Sequence, residues 1–567
     1  MSERTEGRAS GQGITVVGEP VEKQAGLGGG AYEGAERLSR ELATWKPRII
    51  SADAAVNDGN AKLVMDARGR DLVRNSGPIL GASYVHKDSI VGAQYRVNLN
   101  PAYDTLRRAN PGMKFDEVWA EEFQAEVEEL FQLYAESMDN WIDVQRTFSF
   151  TGLIRMGVGC YFGGGEVLMT CNWMRGSGRP FSSAFQLVDC DRLSNPNDIA
   201  DNKFLRRGVV LNRDGAPQSV WIRSGYANDT LRAGTDSLRW ENRPIYKQWG
   251  RLHTLLIRNL QRPEQTRGVA DMVAVLKETR MANRFHETTL ANAIVNASYA
   301  AAIESELPPE MTADMLGGGN RTTAAQSLLA SIAEYARGGK NIELDGVKIP
   351  HLFPGTKLKM YPAGTVGGVG TNFEESLFRW ISAGLGVSYE ELSHDFTKTN
   401  YSGARAAANN TLRFTSSRKR EVADGMANAI FRNWFEEALD AGAITTMNPM
   451  LRKNPDLFYD GMNREALCRC TWIGASRGQV DETKETQAAI MRINAGLSTY
   501  EIECARLGYD FRDVYRQQSR EKRLREEAGL SFDTTPKKPG TVTSQKNTNA
   551  GDENQNNETE DNEDADA

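Results

Sequence analysis

Cysteine is scarce in this chain of 567 residues: Cys160, Cys171, Cys190, Cys468, Cys470 and Cys504 are all there is, with no CxxC pair and no histidine at zinc-ligand spacing. That argues against a structural zinc and a disulfide framework, and leaves small buried hydrophobes of a reducing compartment as their expected role. Histidine is as rare: His86, His253, His286, His351 and His394. Neither a GxxxxGK(S/T) loop nor a GxSxG elbow is present, so the usual marks of nucleotide hydrolysis and serine-nucleophile chemistry are missing. The most apolar helical stretch, 291–303, is interrupted by Asn292, Asn296 and Ser298 and falls short of the ~20 residues that span a bilayer. The first thirty residues are glycine-rich and polar, without the apolar core of a secretory signal. Neither export nor a membrane span is expected.

A basic excess is missing too. The net charge is −7, and the eight acids between Thr541 and Ala567, set against Lys546, account for all of it, so the body is formally neutral. Static DNA-binding proteins gain most of their affinity from Lys and Arg that displace counterions, so any contact with nucleic acid here must be loose. Usage of 40% hydrophobic and 25% charged residues excludes a fibrous or wholly disordered chain, and the length implies about two to four structural units.

Residues 1–30 end in Gly28-Gly29-Gly30 and cannot bury enough apolar surface to order themselves. Helix is expected from Ala31 through Trp45, and again opening at Arg68, with Leu72, Ile79 and Leu80 on one side. The stretch Asp116 to Val144 reads as one amphipathic helix, because Val118, Phe123, Val127, Leu130, Phe131, Tyr134, Met138, Trp141 and Ile142 recur at three-to-four spacing. Gly157 to Gly163 reads as a turn before a strand. Short β-branched or aromatic runs at 166–172, 185–188, 207–211 and 220–224, with the Asn212-Arg213-Asp214-Gly215 turn, predict a small antiparallel unit.

After Pro263 a helix of roughly forty residues, Arg267 to Glu304, is expected; it would be on the order of 50 Å long, too long for an ordinary compact domain. Residues 306–370, with Pro308, Pro309, Pro350, Pro354, Pro362 and a triple glycine at 317–319, read as an insertion with a β-like run from Leu352 to Tyr361. A second helix, Asn372 to Leu385, and a long one from Gly403 to about Ala441 flank a polar loop from Ser388 to Ser402. Two or three more helices end near Leu530, before a polar, acidic tail. The fold class is α+β, predominantly helical.

Chemistry is thinly supplied. His394-Asp395, close to Ser388, Ser393 and Ser402, is where a base, an acid and hydroxyls crowd together, but adjacency in a loop does not orient a triad or a metal site. The pairs Glu374-Glu375 and Glu390-Glu391 point to different sides of a helix and read as solvated faces or as charge near a helix N-terminus. Arg418-Lys419-Arg420 reads as a salt-bridged surface. Arg512 to Glu527 alternates in sign, with Glu521 and Arg525 at i,i+4. No catalytic residue, metal or cofactor is expected.

Several segments, in order, resemble the lambda-type family of phage portal proteins: Arg68 to Asn75 (RGRDLVRN), Gln186 to Leu193 (QLVDCDRL), Arg262 to Gly268 (RPEQTRG), Leu385 to Asp395 (LGVSYEELSHD), Asn400 to Arg405 (NYSGAR) and Asn494 to Thr499 (NAGLST). The likeness runs from about residue 31 to 530. It departs at Glu264, where the family has a small residue, at Gly403, where it tends to a second serine, and in the lengthened Gly364 to Gly370 stretch.

The resemblance implies a ring, typically of twelve subunits, around a central channel. It makes residues 1–30 a flexible arm, 31–266 the wing, 267–305 a stem helix and 306–371 the clip. Residues 372–387 become the second stem helix, 388–402 the tunnel loop, 403–480 the long helix with the return to the wing, 481–530 the crown and 531–567 a disordered tail. Lys398, Asn400 and Tyr401 are then expected to face the channel, with Arg405 and Asp395 anchoring the loop. Implied partners are further copies, the terminase large subunit, major capsid and scaffold proteins, head-tail adaptors, and double-stranded DNA passing without sequence specificity; no membrane is involved. The implied place is the portal vertex of the virion, after assembly in the bacterial cytoplasm. Two other readings stand beside it: a cytosolic hydrolase centred on His394, and a scaffold or adaptor that forms no ring.

Overall fold

In the computed structural model the described residues are, apart from isolated positions, 49–298, 369–476 and 482–529, together with the two strands of a hairpin between 341 and 350. The expected helix at 31–45, the β-like run at 352–361 and the terminal tail lie outside them. The chain divides into two compact units after Ala475.

The first unit runs α1 (Ala52–Asn57), α2 (Ala61–Asn75), α3 (Gly77–Ile90), β1 (Arg96–Leu99), α4 (Tyr103–Ala109), α5 (Glu117–Ala135) and α6 (Phe150–Gly164), then β2 (Glu166–Trp173) and β3 (Ser183–Val188). After them come β4 (Leu205–Arg206), β5 (Val209–Leu211), β6 (Pro217–Arg223), β7 (Trp240–Pro244) and β8 (Thr254–Arg258). The helix α7 (Leu276–Ser298), the hairpin β9 (Asn341–Leu344) and β10 (Val347–Pro350), α8 (Val369–Leu385), α9 (Tyr389–Ser393) and α10 (Tyr401–Arg418) follow. A π-helical turn, Lys419–Ala423, leads into α11 (Asp424–Asp440), α12 (Asn448–Leu451), α13 (Asn463–Leu467) and β11 (Cys470–Ile473). The second unit holds α14 (Glu482–Asn494), α15 (Tyr500–Arg506) and α16 (Phe511–Glu527).

The main core is aromatic and is built where α5, α6 and α11 meet. Phe131 touches Phe150, Phe431 and Trp434 with ring centroids 5.3, 5.2 and 4.9 Å apart, and Trp472 of β11 stacks on Tyr95. Burial of each such ring stabilises the fold by roughly 1.5–3 kcal/mol. β1 pairs antiparallel with β11, so the strand after α3 and the last strand of this unit close on each other. Two antiparallel sheets, ordered β3-β2-β8 and β4-β5-β6-β7, stand where one small unit was expected. The Asn212 to Gly215 turn does join β5 to β6, with Asn212 Oδ1 accepting from the amides of Asp214 and Ala216.

Several expected boundaries move, each for a local reason. The Arg68 to Asn75 segment ends α2 instead of opening a helix: Ser76 is extended and Pro78, in the first turn of α3, starts the next helix. Asp116 caps α5 through the Trp119 amide at 2.8 Å, but the helix stops at Ala135, not Val144. There Glu136 turns to accept the amide and hydroxyl of Thr151, and Asn140 and Arg146 take positive φ. Val118 and Met138, expected in the core, are exposed.

Gly157 to Gly163 is not a turn but lies inside α6: a Cβ on Gly157 would fall 2.2 Å from Met426 Sδ of α11, so glycine there permits close helix packing. The turn comes at Gly165 (φ +70°). The long helix starts at Leu276, after a 3-10 turn at Asp271–Val275, because Arg267 is drawn into the core. The expected strand 207–211 is split by positive φ at Arg207 and Gly208.

In the second unit no residue of α14, α15 or α16 is buried. Glu503 ties it together, receiving both Arg492 nitrogens at 3.0 Å and Arg506 at 2.8 Å, which pulls its carboxyl down to about 2.

Candidate functional site

Three of the quoted segments, far apart in sequence, meet at one buried cluster of charges. Arg267 grips Glu166 fork to fork, Nε to Oε1 and Nη2 to Oε2, both at 2.8 Å, and the Gly268 amide adds a third bond at 2.6 Å. Its remaining donors reach the carbonyls of Cys190 and Arg207 at 3.2 and 3.0 Å. Lys62 bridges Asp66 at 2.8 Å, the Gly164 carbonyl at 2.7 Å and Glu166 at 3.6 Å. Nearer the surface, Arg70 holds Asp189 and Asp191. Burial raises both carboxyls, but at Glu166 the charges of Arg267 and Lys62 outweigh it and the group lies below its ordinary range. At Asp66 burial wins over Lys62 and the carboxyl is pushed up to about 6.

The polar loop between α8 and α10 is built by caps and carboxylates. Gly386 (φ +70°) ends α8 against the Phe414 ring, which a Cβ would approach to 2.5 Å. The Leu385 carbonyl is held at 2.9 Å by Nε2 of the buried His86, whose ring lies between Phe162 and Phe414. Burial depresses the His86 pKa, so the ring is neutral at pH 7. Ser388 and Glu391 form a reciprocal cap on α9, and Glu391 also accepts the Thr411 hydroxyl of α10 at 2.6 Å. Glu390 accepts the Thr399 hydroxyl at 3.2 Å.

Asp395 receives the amide and hydroxyl of Thr397 at 3.0 and 2.5 Å, which lowers its pKa. Lys398 is exposed and paired with Glu375 of α8, which Arg379 also contacts at 3.1 Å. The bond to Lys398 draws the Glu375 carboxyl down and raises the ammonium. Asn400 caps α10, accepting the Gly403 amide at 2.7 Å. Tyr401 opens α10, and Arg405 is exposed in its first turns with no partner among the described residues.

The structure therefore brings Lys398 to Glu375, and Asp395 and Asn400 to their own loop. Glu375, Glu390, Glu391 and His86, which the sequence reading did not single out as loop ties, hold this region. The Ser388-x-x-Glu391 spacing was the available signal for one of them. His394 stands at positive φ and has no hydrogen-bond partner among the described residues, while Ser393 donates to the Tyr389 carbonyl. The base, acid and hydroxyl that crowd there in sequence are not joined in space. The basic trio is largely neutralised: Arg418 meets Asp271 at 2.7 Å and Lys419 meets Asp424 at 2.9 Å.

A family model described as phage portal protein, lambda family, matches residues 38–419. Portal protein B of Escherichia phage lambda is 35% identical over 504 residues, spanning 88% of this chain and 91% of that protein. The portal protein of Escherichia phage N15 is 35% identical over 506 residues, 89% of this chain and 91% of that one. Among solved structures, a neck of an empty GTA particle computed with C6 symmetry covers 78% of this chain and 93% of its own at 12% identity and TM-score 0.38. The virion of a native gene transfer agent particle covers 76% and 98% at 14% identity and TM-score 0.34.

This is a structural protein of the phage particle and not an enzyme. The chain belongs to the lambda family of phage portal proteins. Its described elements make a helix-dominated α+β fold, and the place of this family is the capsid vertex. Among the described residues no helix is long and apolar enough to cross a membrane.

Proposed function

We propose that twelve copies of the chain form a ring whose axial hole conducts double-stranded DNA inward during packaging and outward at ejection. The observation that carries this is the 35% identity to portal protein B across 88% of the chain. In this reading residues 31–266 form the wing and 267–305 and 372–387 the two stem helices. Residues 306–371 form the clip, where a terminase docks and supplies the energy, and 481–530 form the crown. Capsid and scaffold proteins surround the ring during assembly in the host cytoplasm, and head-tail adaptors replace the terminase once the head is full.

Two features support the reading. Met281, Leu290 and Ile294 of α7 and Phe373 and Trp380 of α8 are exposed apolar residues, which copies around a ring would cover. In this reading the loop at 388–402 faces the hole with Lys398, Asn400 and Tyr401; Asp395 holds its own turn through Thr397, whereas Arg405, expected to anchor the loop, has no partner among the described residues to anchor it to. Since Lys398 is paired with Glu375 and the body is formally neutral, phosphate would be held weakly, as sliding requires. Negative-stain imaging and native mass measurement of the purified chain are expected to show twelvefold rings. A lone subunit at high concentration and beside capsid components would overturn the proposal.

A further inference from the structure

The last turn of α11 carries Glu436, Glu437 and Asp440 and no basic residue. A helix C-terminus already bears about half a negative charge, so acids are unfavourable there and cations favourable. Glu437 is occupied within the fold, accepting the Ser182 and Ser183 amides at 2.5 and 2.7 Å. Asp440 is exposed and has no partner among the described residues.

Beside this turn lies a cavity of about 410 Å³ whose lining includes Trp173, Arg251, Glu436, Asp440, Phe458 and Tyr459. Tyr459 Oη and Trp249 Nε1 donate to Glu436 Oε1 at 2.6 and 3.3 Å, fixing the two rings by their polar tips. Trp173, Trp249 and Tyr459 are all half-exposed. Exposed Trp and Tyr rings around a pocket are the residues that most often dominate protein interfaces, and aromatic walls with carboxylates select cations. The chain's own Arg251 shows this selectivity: it lies over the Trp173 ring at 5.1 Å and 3.5 Å from Glu436. One guanidinium does not neutralise three carboxylates, and the one of the three left without a partner among the described residues is the exposed Asp440.

We propose that this cavity is a docking site for a lysine or arginine side chain presented, beside an apolar residue, by another protein. The added cation pairs with Asp440 and the helix end, and its apolar neighbour covers the exposed rings.

The test is fluorescence anisotropy on the full-length, assembled protein with a labelled peptide that carries one arginine between two leucines, and with its uncharged citrulline twin. Saturable binding is expected for the arginine peptide. Binding about tenfold weaker is expected for the twin, for Asp440→Asn and for Glu436→Gln, the factor of one charge-assisted contact. Asp440 is exposed, so Asp440→Asn should fold normally, which an unchanged unfolding midpoint confirms. Equal affinity for the two peptides, or undiminished binding by both variants, overturns the proposal. So does absence of binding to the wild type; if Asp440→Asn then also disperses the assembly, the occupant is a second copy of this chain.

Discussion

Arg267 and Glu166 stand 101 residues apart in sequence and meet fork to fork in a site closed to solvent, each the other's principal counter-charge. Removing one member leaves the other charged and buried, which costs about 3–5 kcal/mol. Arg267→Met and Glu166→Leu alone should each lower the unfolding free energy from urea titration by that amount. The double variant should be less destabilised than the sum, so additive losses in a double-mutant cycle would show that the pair is not coupled.

Two glycines should differ sharply although both sit in α6 or at its end. At Gly165 the φ of +70° and a Cβ position 2.3 Å from the Val269 backbone leave no way to accommodate a methyl group. Gly165→Ala is expected to lose at least about 3 kcal/mol or fail to fold. Gly157→Ala meets only the tip of Met426, which can swing aside, and should cost about 1–2 kcal/mol. Thermal unfolding of the two variants checks the order.

Asp66 sets a pH dependence. Its folded pKa of about 6 lies above that of the unfolded chain, so the native state binds the extra proton between roughly pH 4 and 6. The residue therefore weakens the fold above pH 6 and ceases to do so as pH falls. Relative to Asp66→Asn, the wild type should gain on the order of 1 kcal/mol between pH 7 and pH 5. A difference independent of pH would mean that the carboxyl titrates normally.

Lys398 is exposed and Glu375 partly exposed, and their pair is reached by solvent, so neither Lys398→Ala nor Glu375→Gln should move the unfolding midpoint far or abolish the ring. Their effects on DNA should be opposite. Lys398→Ala removes a cation from the loop and should reduce DNA retention in packaged heads, whereas Glu375→Gln frees that cation and should increase it. Retention assays on the two variants decide, and a shift in the same direction would separate Lys398 from contact with DNA.

Much of the helical frame is legible in local pattern. The buried face of α5 from Phe123 to Tyr134 follows from its spacing, and the turn at Asn212 to Gly215 from its composition. Glycine misled at 157–163, because a residue that permits a turn also permits close helix packing, and only the position of α11 decides which. Lys62 and Asp66 carry no local mark of burial: charged residues four apart usually form a solvated helix pair, and the groups that enclose them lie a hundred residues away. For the same reason the pairing of Lys398 with Glu375 follows from the fold and not from the loop's own composition. Membership of the family came through the order of short segments, three of which prove to be the pieces that the buried charges hold together.

The π-helical turn at Lys419–Ala423 has a geometric consequence. It accommodates one residue more than regular winding allows, so everything before it is rotated by ~100° relative to an uninterrupted helix. With α11 clamped in the aromatic core, that surplus residue sets the azimuth of α10 and hence the side on which Thr411 meets Glu391 and Arg418 meets Asp271. Deleting the uncharged Val422 of this turn would remove no charge from the chain and still point the loop in another direction.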